Sequence, residues 1–277
     1  MTTADRSRRG GHRRPPTRTL EVLRTTELTP SMRRITLGGE ELAGFRDEHT
    51  GPNVKVFVPQ RGQHRPVVPV LDRDSGRYIW PEPEERPTMR TYTVRRYDEA
   101  RGELDIDFVM HRHGVASTWA GEAEPGDYLG VLGPGGRTCR AADWYLLVGD
   151  ETALPAISSI IEQMPVTARG QVFLEVADAA ERQHLETPPN LRVDWFYRDG
   201  VPAARSTLLH DAVRDVDIPE QQDVSAWVSG ESGVVRGIRR HLRQDRGLQA
   251  NSVLAIGYWK AGMAEPDYHD KYNHDRD

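Results

Sequence analysis

The chain has 277 residues, with 37 Lys and Arg residues against 42 Asp and Glu residues and a net charge of −5. At about 100–200 residues per domain, this length predicts two domains. Hydrophobic residues make up 37% and charged residues 29%, a composition typical of a globular protein with a substantial core. The acidic balance argues against nucleic acid as the main partner. No stretch approaches the ~18 uninterrupted apolar residues of a membrane-spanning helix, so we expect no membrane insertion.

The cysteine content and the first residues set further limits. Cys139 is the single cysteine, which excludes an internal disulfide and a multi-cysteine metal site. The first residues, MTTADRSRRGGHRRPP, lack the apolar segment of a secretory signal. A reducing, cytoplasmic location is therefore the default expectation. Five arginines, Gly-Gly and Pro-Pro within residues 1–16 predict a disordered basic arm.

Short strands and turns follow up to about residue 137. Apolar, β-branched or alternating runs predict strands at residues 20–23, 32–37, 54–58, 90–95, 104–109 and 127–132, the last ending before a Gly-Pro-Gly-Gly turn. Residues 60–87, rich in Pro, Arg and Asp, predict a long loop or hairpin insertion. A helix is predicted over residues 116–122, after Gly114. We assign residues 17–140 to an antiparallel β-barrel domain.

The pattern changes at residue 144, where strands begin to alternate with helices. Apolar runs predict strands at residues 144–148, 172–176, 193–197, 225–229 and 253–257, and helical spacing predicts helices at 154–161, 206–213 and 233–246. This alternation is typical of a parallel sheet with right-handed crossovers. The predicted fold class is thus α/β plus all-β: an N-terminal β-barrel, then an open parallel-sheet α/β domain over residues 141–263. Residues 264–277 predict a polar tail.

The tetrapeptide RTYT carries the first candidate site residues. Strand alternation puts Arg90 and Tyr92 on one face and Thr91 and Thr93 on the other. An arginine beside an aromatic ring can hold a phosphate bidentately while the ring covers a planar ligand. For the tetrapeptide alone, a cross-strand pair on a sheet surface is the better supported interpretation.

A strand that ends in a glycine turn provides the second candidate, in DFVMHRHGVASTWA. A helix that opens with Gly, Ala and Ser offers free backbone N–H groups, a dipole and a hydroxyl to an anion. The alternative is that Ser117 only caps the helix. His111 and His113 lie two residues apart, but no third ligand is near them in the sequence. We therefore expect no metal site.

Two strand ends in the α/β domain are the third candidate. GDET covers residues 149–152 after the first strand, and SGE covers residues 229–231 at the end of the fourth. Nucleotides bind at the carboxyl ends of strands in open α/β sheets, and a glycine there permits close approach to the backbone. Neither turn carries a GxGxxG fingerprint, which disfavours a Rossmann dehydrogenase. Each turn could be an ordinary strand–helix loop, but together they favour a ligand cleft at one edge of the sheet.

Taken in order, these segments resemble the ferredoxin–NADP reductase superfamily and, more specifically, the siderophore-interacting proteins, which are FAD-dependent ferric-siderophore reductases. The resemblance runs over residues 18–263 and rests on NVKVFVP, RTYTVRRYD, DIDFVMHRHGVASTWA, VGDETALPAI, WVSGES and GYWKAG. One departure is Val115, where the family often has proline.

The resemblance implies FAD as the cofactor and carries roles over to matching positions. Contacts to the flavin and its phosphate would come from Arg90, Tyr92 and Thr93. The flavin would be lined by Asp107, Val109 and His111. The pyrophosphate would be held at the helix start by Gly114, Ala116 and Ser117. The flavin cleft would be faced by Asp150 and Thr152, and the nicotinamide donor would lie near Ser229, Gly230 and Glu231.

The resemblance also implies a basic site for an anionic ferric siderophore. The chain has three lysines, Lys55, Lys260 and Lys271, and the first two fall in family motifs. Arg137 is a third candidate for the same site. Clustered cations raise the local concentration of anions. The alternative interpretation of Lys55 is structural: a snorkelling side chain on a half-exposed strand, with its ammonium group in the solvent.

The implied reaction is a two-step reduction. NADH or NADPH would give a hydride to the flavin, which would pass single electrons to Fe(III) in its chelator. No side-chain acid or base is required, so no catalytic residue is assigned. Glu231 would repel a 2′-phosphate, whereas Arg236, Arg239 and Arg240 could bind it. A ferredoxin donor is a further possibility, because basic helices can dock acidic partners.

Two alternatives stay open. A general flavin reductase or the reductase component of an oxygenase would share the fold, although a built-in cluster held by four thiolates is excluded by the single cysteine. A non-catalytic siderophore carrier would bind the chelate without flavin chemistry. A monomer is expected in each case.

Overall fold

The computed structural model describes residues 14–45, 52–111, 114–263 and 268. Within these residues, an antiparallel sheet precedes a five-stranded parallel sheet with helices, and the predicted fold class is confirmed. The predictions for residues 1–13 and for nearly all of 264–277 lie outside the described residues. Tyr268 is described and is only 1% exposed. A Cβ at Gly257 would lie 2.0 Å from its hydroxyl, so this aromatic side chain of the expected polar tail packs on the α/β domain.

The N-terminal region, as far as it is described, contains nine strands. They are β1 (Thr17–Thr29), β2 (Met32–Gly38), β3 (Asn53–Val58), β4 (Val70–Asp72), β5 (Arg77–Ile79), β6 (Thr88–Thr93), β7 (Arg96–Asp98), β8 (Glu103–Val109) and β9 (Tyr128–Gly135). Seven of them form a sheet in the order β6-β3-β9-β1-β2-β8-β7. β4 and β5 pair as a separate hairpin, which is the insertion predicted over residues 60–87.

Aromatic packing brings β6 and β8 together across the sheet. The Tyr92 and Phe108 ring centroids lie 4.3 Å apart, and the inward-facing apolar residues of the strands are fully buried. Helix α1 (Val115–Glu122) lies against β2, β3, β6 and β8. The predicted Gly-Pro-Gly-Gly turn at residues 133–136 is wrong for its first three residues: β9 continues to Gly135, which still pairs with Asn53 of β3.

The second domain is a parallel sheet in the order β12-β11-β10-β13-β14. Its elements are β10 (Trp144–Asp150), α2 (Leu154–Glu162), β11 (Arg169–Val176), β12 (Asn190–Tyr197), α3 (Leu208–Asp215), β13 (Val224–Glu231), α4 (Ser232–Arg240) and β14 (Val253–Trp259). The helix predicted to reach residue 246 is α-helical only to Arg240 and continues as a π-helical turn, His241–Asp245. β10 and β13 extend to Asp150 and Glu231, so the predicted turn residues are strand ends.

The two domains share a packed junction. Arg95, just after β6, pairs with Glu162 of α2 through two bonds of 2.9 and 2.6 Å. The buried Glu181 carboxylate accepts bonds from the Thr29 hydroxyl at 2.5 Å and the Ser31 amide at 3.2 Å. Met32 of β2 lies in the apolar cluster of the α/β domain. The barrel is thereby held against the amino-terminal half of the α/β domain.

α2 and α4, the longest α-helices among the described residues, have nine residues each. A helix that crosses a bilayer needs about 20 apolar residues, and none of the described helices meets that requirement.

Candidate functional site

The barrel motifs lie on two neighbouring elements, β6 and α1. Tyr92 of β6 stacks on Phe108, and the Phe108 ring lies 5.8 Å from Trp119 of α1. Arg90, two residues before Tyr92, donates to the Met89 carbonyl at 2.8 Å. The structure therefore brings the RTYT strand beside the helix that follows the glycine turn.

Among the described residues, no side chain caps the start of α1. Its N-cap is Gly114, so the first-turn amides have no side-chain acceptor there. The Ser117 hydroxyl instead accepts from the His111 amide at 2.7 Å and donates to the His111 carbonyl at 2.9 Å. A Cβ at Gly114 would lie 2.3 Å from the His111 ring, so this ring packs over the glycine. Ala116 is buried behind the first turn.

These features suit the chemical parts of FAD. A helix N-terminus that begins at a glycine and an arginine on the neighbouring strand β6 both suit phosphates, and a half-buried tyrosine ring offers a flat apolar surface. Because the Ser117 hydroxyl is engaged by the His111 backbone, the α1 contribution to an anion would come from backbone amides. Arg112 and His113 lie outside the described residues.

Two further predicted flavin contacts serve the barrel itself. Asp107 is 4% exposed, and Arg34 donates to both of its oxygens, at 2.7 and 2.9 Å. Thr93 is buried at the end of β6. Val109, in contrast, packs against the apolar cluster of the α/β domain, so it lies at the domain junction.

The three predicted siderophore-binding cations lie on both domains. Lys55 donates to the Thr91 hydroxyl at 2.5 Å, on the strand face opposite Tyr92. Arg137 follows β9 by two residues, at the end where β9 pairs with Asn53, so Lys55 and Arg137 share one end of the barrel wall. Lys260 follows β14 in the α/β domain.

Asp150, the last residue of β10, connects three strand ends. Its Oδ1 accepts from the Thr152 amide at 2.9 Å and the Thr152 hydroxyl at 2.5 Å. Its Oδ2 accepts from the Glu231 amide at 2.9 Å and from Nε1 of Trp259 at 2.8 Å. Burial, with the charge of Glu151 adding to it, raises the pKa of Asp150 to about 6, and the bonds from Thr152 and Trp259 oppose this rise.

The Glu231 carboxylate accepts hydrogen bonds from backbone amides at the same edge of the sheet. Oε2 caps α4 by accepting from the Gly233 amide at 2.5 Å and the Val234 amide at 3.1 Å. Oε1 accepts from the Ala261 amide at 3.3 Å. Glu231 therefore supplies the negative charge at the α4 N-terminus, a position that often holds a phosphate in α/β proteins.

The expectation that the two strand-end turns share one edge is confirmed, because β10 and β13 are adjacent and parallel. Gly230 passes directly beside the Asp150 carboxylate. Ser229 is buried, and its hydroxyl has no hydrogen-bond partner within the described part of the chain. The GDET and SGE segments thus form one connected group, in which Asp150 and Glu231 bond chiefly to their own chain.

Three residues of this edge are absent from the predicted set: Trp259, Glu175 and Arg198. Arg198 pairs with Glu151 at 2.8 Å and approaches Glu175 at 3.4 Å. Burial raises the pKa of Glu175, against bonds from Ser206 and Arg198 that lower it. Each of the three lies at or just after the carboxyl end of a strand, so extending the strand-end rule to all five strands would have found them.

A basic groove runs along the outer side of α4 and the π-helical turn. It has a volume of about 370 Å³ and is lined by Gly233, Arg236, Gly237, Arg239, Arg240, Arg243 and Gln244. The His210 ring of α3 packs on Gly237, where a Cβ would lie 2.2 Å from it. Burial lowers the pKa of His210, and the neighbouring charge of Arg214 lowers it further. The groove therefore holds a concentrated positive charge in a chain of net charge −5.

Within the described ranges, no three His, Cys, Asp or Glu side chains come together as a set of metal ligands.

Comparison with known proteins matches both domains. Residues 21–138 match the siderophore-interacting FAD-binding domain, and residues 142–262 match the siderophore-interacting protein domain. The ferric vibriobactin reductase ViuB of Vibrio cholerae is 37% identical over 258 residues, which is 92% of this chain and 93% of that protein. The NADPH-dependent ferric-chelate reductase of Escherichia coli is 34% identical over 249 residues, 88% of this chain and 93% of that protein.

A solved structure agrees with these matches. The siderophore utilization protein from T. fusca superposes with a TM-score of 0.82 at 39% identity, covering 91% of this chain and 96% of that one. The chain belongs to the siderophore-interacting protein family and carries that family's FAD-binding domain at its N-terminal side.

Proposed function

We propose that this chain is an FAD-dependent reductase of ferric siderophores that takes its electrons from NADPH. The observation that carries the proposal is the alignment over about nine-tenths of the chain with proteins named as ferric reductases, at 37% and 34% identity. The alignment spans both domains, so the barrel and the α/β domain are shared as a unit. The single cysteine and a nicotinamide donor both fit a cytoplasmic location.

The barrel residues supply the FAD site. The first-turn amides of α1, from Gly114 onward, and the Arg90 guanidinium would hold the phosphates, and the Tyr92 ring would cover the flavin. Val109 at the domain junction would close one side. When bound, FAD accepts a hydride from the donor and passes electrons on singly.

Cations from both domains would attract the substrate. Lys55 and Arg137 on the barrel, with Lys260 on the α/β domain, would face an iron chelate whose catecholate oxygens carry negative charge. A field of this kind raises the local concentration of the anionic chelate. Ferrous iron binds hard oxygen ligands less tightly than ferric iron does, so one-electron reduction releases it.

The groove on α4 supports NADPH over NADH. Arg236 and Arg240 both line the groove, and guanidinium groups suit a phosphate monoester. Glu231 already caps α4, so the donor pyrophosphate would not use that helix end. The 2′-phosphate in the groove would then provide the main anionic contact of the donor.

Anaerobic spectroscopy of the FAD-loaded protein tests the proposal. NADPH should bleach the flavin absorbance, and ferric tris(catecholate) should restore it while a ferrous-iron indicator develops colour. Bleaching without recovery by any ferric chelate would indicate a general flavin reductase. Failure to bind FAD at all would favour a siderophore carrier.

A further inference from the structure

We propose that Asp150, Glu231 and Trp259 are positioning residues for Lys260, so that three separate sequence motifs form one support for a single substrate-binding lysine. The inference rests on the proposed function, because it assigns Lys260 to the siderophore site. It goes beyond that function by assigning a role to the buried carboxylates of the sheet edge.

Lys260 begins a hydrogen-bonded turn whose two sides are both anchored. The Met263 amide donates to the Lys260 carbonyl at 3.1 Å, and Gly262 has the positive φ of 77° that the turn requires. Immediately before Lys260, the Trp259 indole donates to Asp150 at 2.8 Å. Immediately after it, the Ala261 amide donates to Glu231 at 3.3 Å. The lysine backbone is thus held between two carboxylates.

The two carboxylates are themselves fixed. Asp150 is 3% exposed and Glu231 is 7% exposed. Thr152 holds Asp150 through its amide and hydroxyl, and the first amides of α4 hold Glu231. The Glu231 amide also donates to Asp150 at 2.9 Å, which joins the two anchors. The support for the turn therefore extends into the ends of β10 and β13 and the start of α4.

The strand register contributes to this arrangement. Gly230 pairs with Gly257, but Glu231 pairs with Trp259, so Tyr258 is an extra residue in β14. Such irregularities change the direction of the side chains that follow. The shift accompanies the placement of the Trp259 indole at the Asp150 carboxylate.

A fixed backbone matters for a lysine that binds a large anion. The ammonium group sits on a flexible four-carbon stem, and ordering a side chain together with its loop weakens binding. Holding the turn in place removes the cost of ordering its backbone when the chelate binds. Because both Asp150 oxygens accept bonds from the chain itself, this support accounts for the buried carboxylate without a ligand contact.

The variant Trp259→Phe tests the inference, since it keeps an aromatic ring and removes the indole N–H that binds Asp150. In the FAD-loaded protein with NADPH, we expect the KM for ferric tris(catecholate) to rise about five- to tenfold, with kcat changed less than about twofold. The KM for a cationic ferric trihydroxamate should not show this rise, because the Lys260 ammonium does not attract a cation. Trp227→Phe in neighbouring β13 is the matched control, because Nε1 of Trp227 has no hydrogen-bond partner among the described residues.

A double-mutant cycle with Lys260→Ala separates positioning from a direct contact. If Trp259 acts through Lys260, Trp259→Phe should change the KM less than about twofold in the Lys260→Ala background. Additive effects of the two substitutions would overturn the inference. So would an unchanged KM in Lys260→Ala while the wild type still reduces the chelate, an outcome that leaves the proposed function standing.

Hydrogen exchange provides a readout that is independent of reductase activity. In Trp259→Phe, the peptides that cover residues 258–263 should exchange faster than in the wild type, and those of β10 should not. Equal protection in the two proteins would contradict the anchoring, even if the chain reduced no ferric chelate at all.

Discussion

Gly230 and Asp150 occupy one small space at the carboxyl edge of the parallel sheet. A Cβ on Gly230 would lie 2.7 Å from the Asp150 Oδ2 atom, and the φ of Gly230 is +146°. Only glycine meets both conditions without strain. The close approach is what allows the next amide, that of Glu231, to donate to Asp150.

Gly230→Ala should therefore be strongly destabilising. We expect a loss of about 2–4 kcal/mol in the free energy of unfolding, from the backbone strain and the displaced carboxylate together. Urea denaturation followed by far-UV circular dichroism measures it. Gly39→Ala is the control, because Gly39 also has a positive φ, of +125°, but no atom within 4 Å of its Cβ position. Equal losses in the two variants would show that strain alone is responsible.

The ionisation of Asp150 should appear in the pH dependence of stability. Its pKa is about 6 in the folded protein, against an ordinary value of 3.8. A carboxyl group with a raised pKa stabilises the fold most when it is protonated, and that contribution is lost as the pH rises from about 4 through 6. Relative to Asp150→Asn, the free energy of unfolding of the wild type should increase by up to about 3 kcal/mol when the pH falls from 7 to 4.

Thermal unfolding of both proteins across this pH range checks the prediction. The diagnostic quantity is how the difference in the free energy of unfolding between the two proteins changes with pH. Its absolute size is not diagnostic, because the amide introduced by Asp150→Asn would face the Glu231 and Trp259 donors at every pH. A difference that stays constant from pH 4 to pH 7 would place the pKa of Asp150 near its ordinary value.

Flavin retention tests the barrel end of the site. Arg90→Ala should raise the dissociation constant for FAD about tenfold or more, because a charged hydrogen bond to phosphate is lost. Fluorescence titration of the apoprotein with FAD measures it. Arg77→Ala, on the exposed β4–β5 hairpin, should leave FAD affinity unchanged. Full FAD occupancy of Arg90→Ala after prolonged dialysis would contradict a phosphate contact.

The order of the two domains could be predicted from the sequence because their hydrophobic periods differ. Alternation at period two in β8 predicts a strand of the barrel, and the helical spacing of Leu154 and Ile157 predicts a helix packed on a sheet. Element ends were less predictable. β9 runs through Gly133 and Pro134 because β3 pairs with it on both sides, at Leu132 and Gly135, with a register shift between the two pairs. Such pairing between distant segments is not visible in the local pattern.

The chemistry of the site was predicted by residue type but not by partner. Asp150, Glu231 and the segment around Lys260 stand in separate motifs, and only the strand order β10-β13-β14 brings them together. Likewise, Ser117 has the residue type of a helix cap or an anion ligand, yet its hydroxyl bonds to the backbone of His111. Side-chain partners of this kind depend on tertiary distances that spacing along the chain does not encode.

The basic groove on α4 predicts which nicotinamide is the donor. If the 2′-phosphate binds Arg236 and Arg240, the double variant Arg236→Ala/Arg240→Ala should raise the KM for NADPH about tenfold or more and leave the KM for NADH nearly unchanged, because only NADPH carries that phosphate. Stopped-flow reduction of the FAD-loaded protein by each donor measures both constants. Calorimetry with 2′,5′-ADP and 5′-AMP supplies a direct binding comparison that needs no flavin.

Arg192→Ala is the matched control, since Arg192 is an exposed arginine that pairs with Asp194 on edge strand β12, away from the groove. Equal effects of the double variant on both donors would mean that the groove contacts a part shared by NADH and NADPH. If neither donor is affected and 2′,5′-ADP does not bind, the groove serves another anion, and slower reduction of the variant by an acidic ferredoxin would identify it as a protein-docking surface.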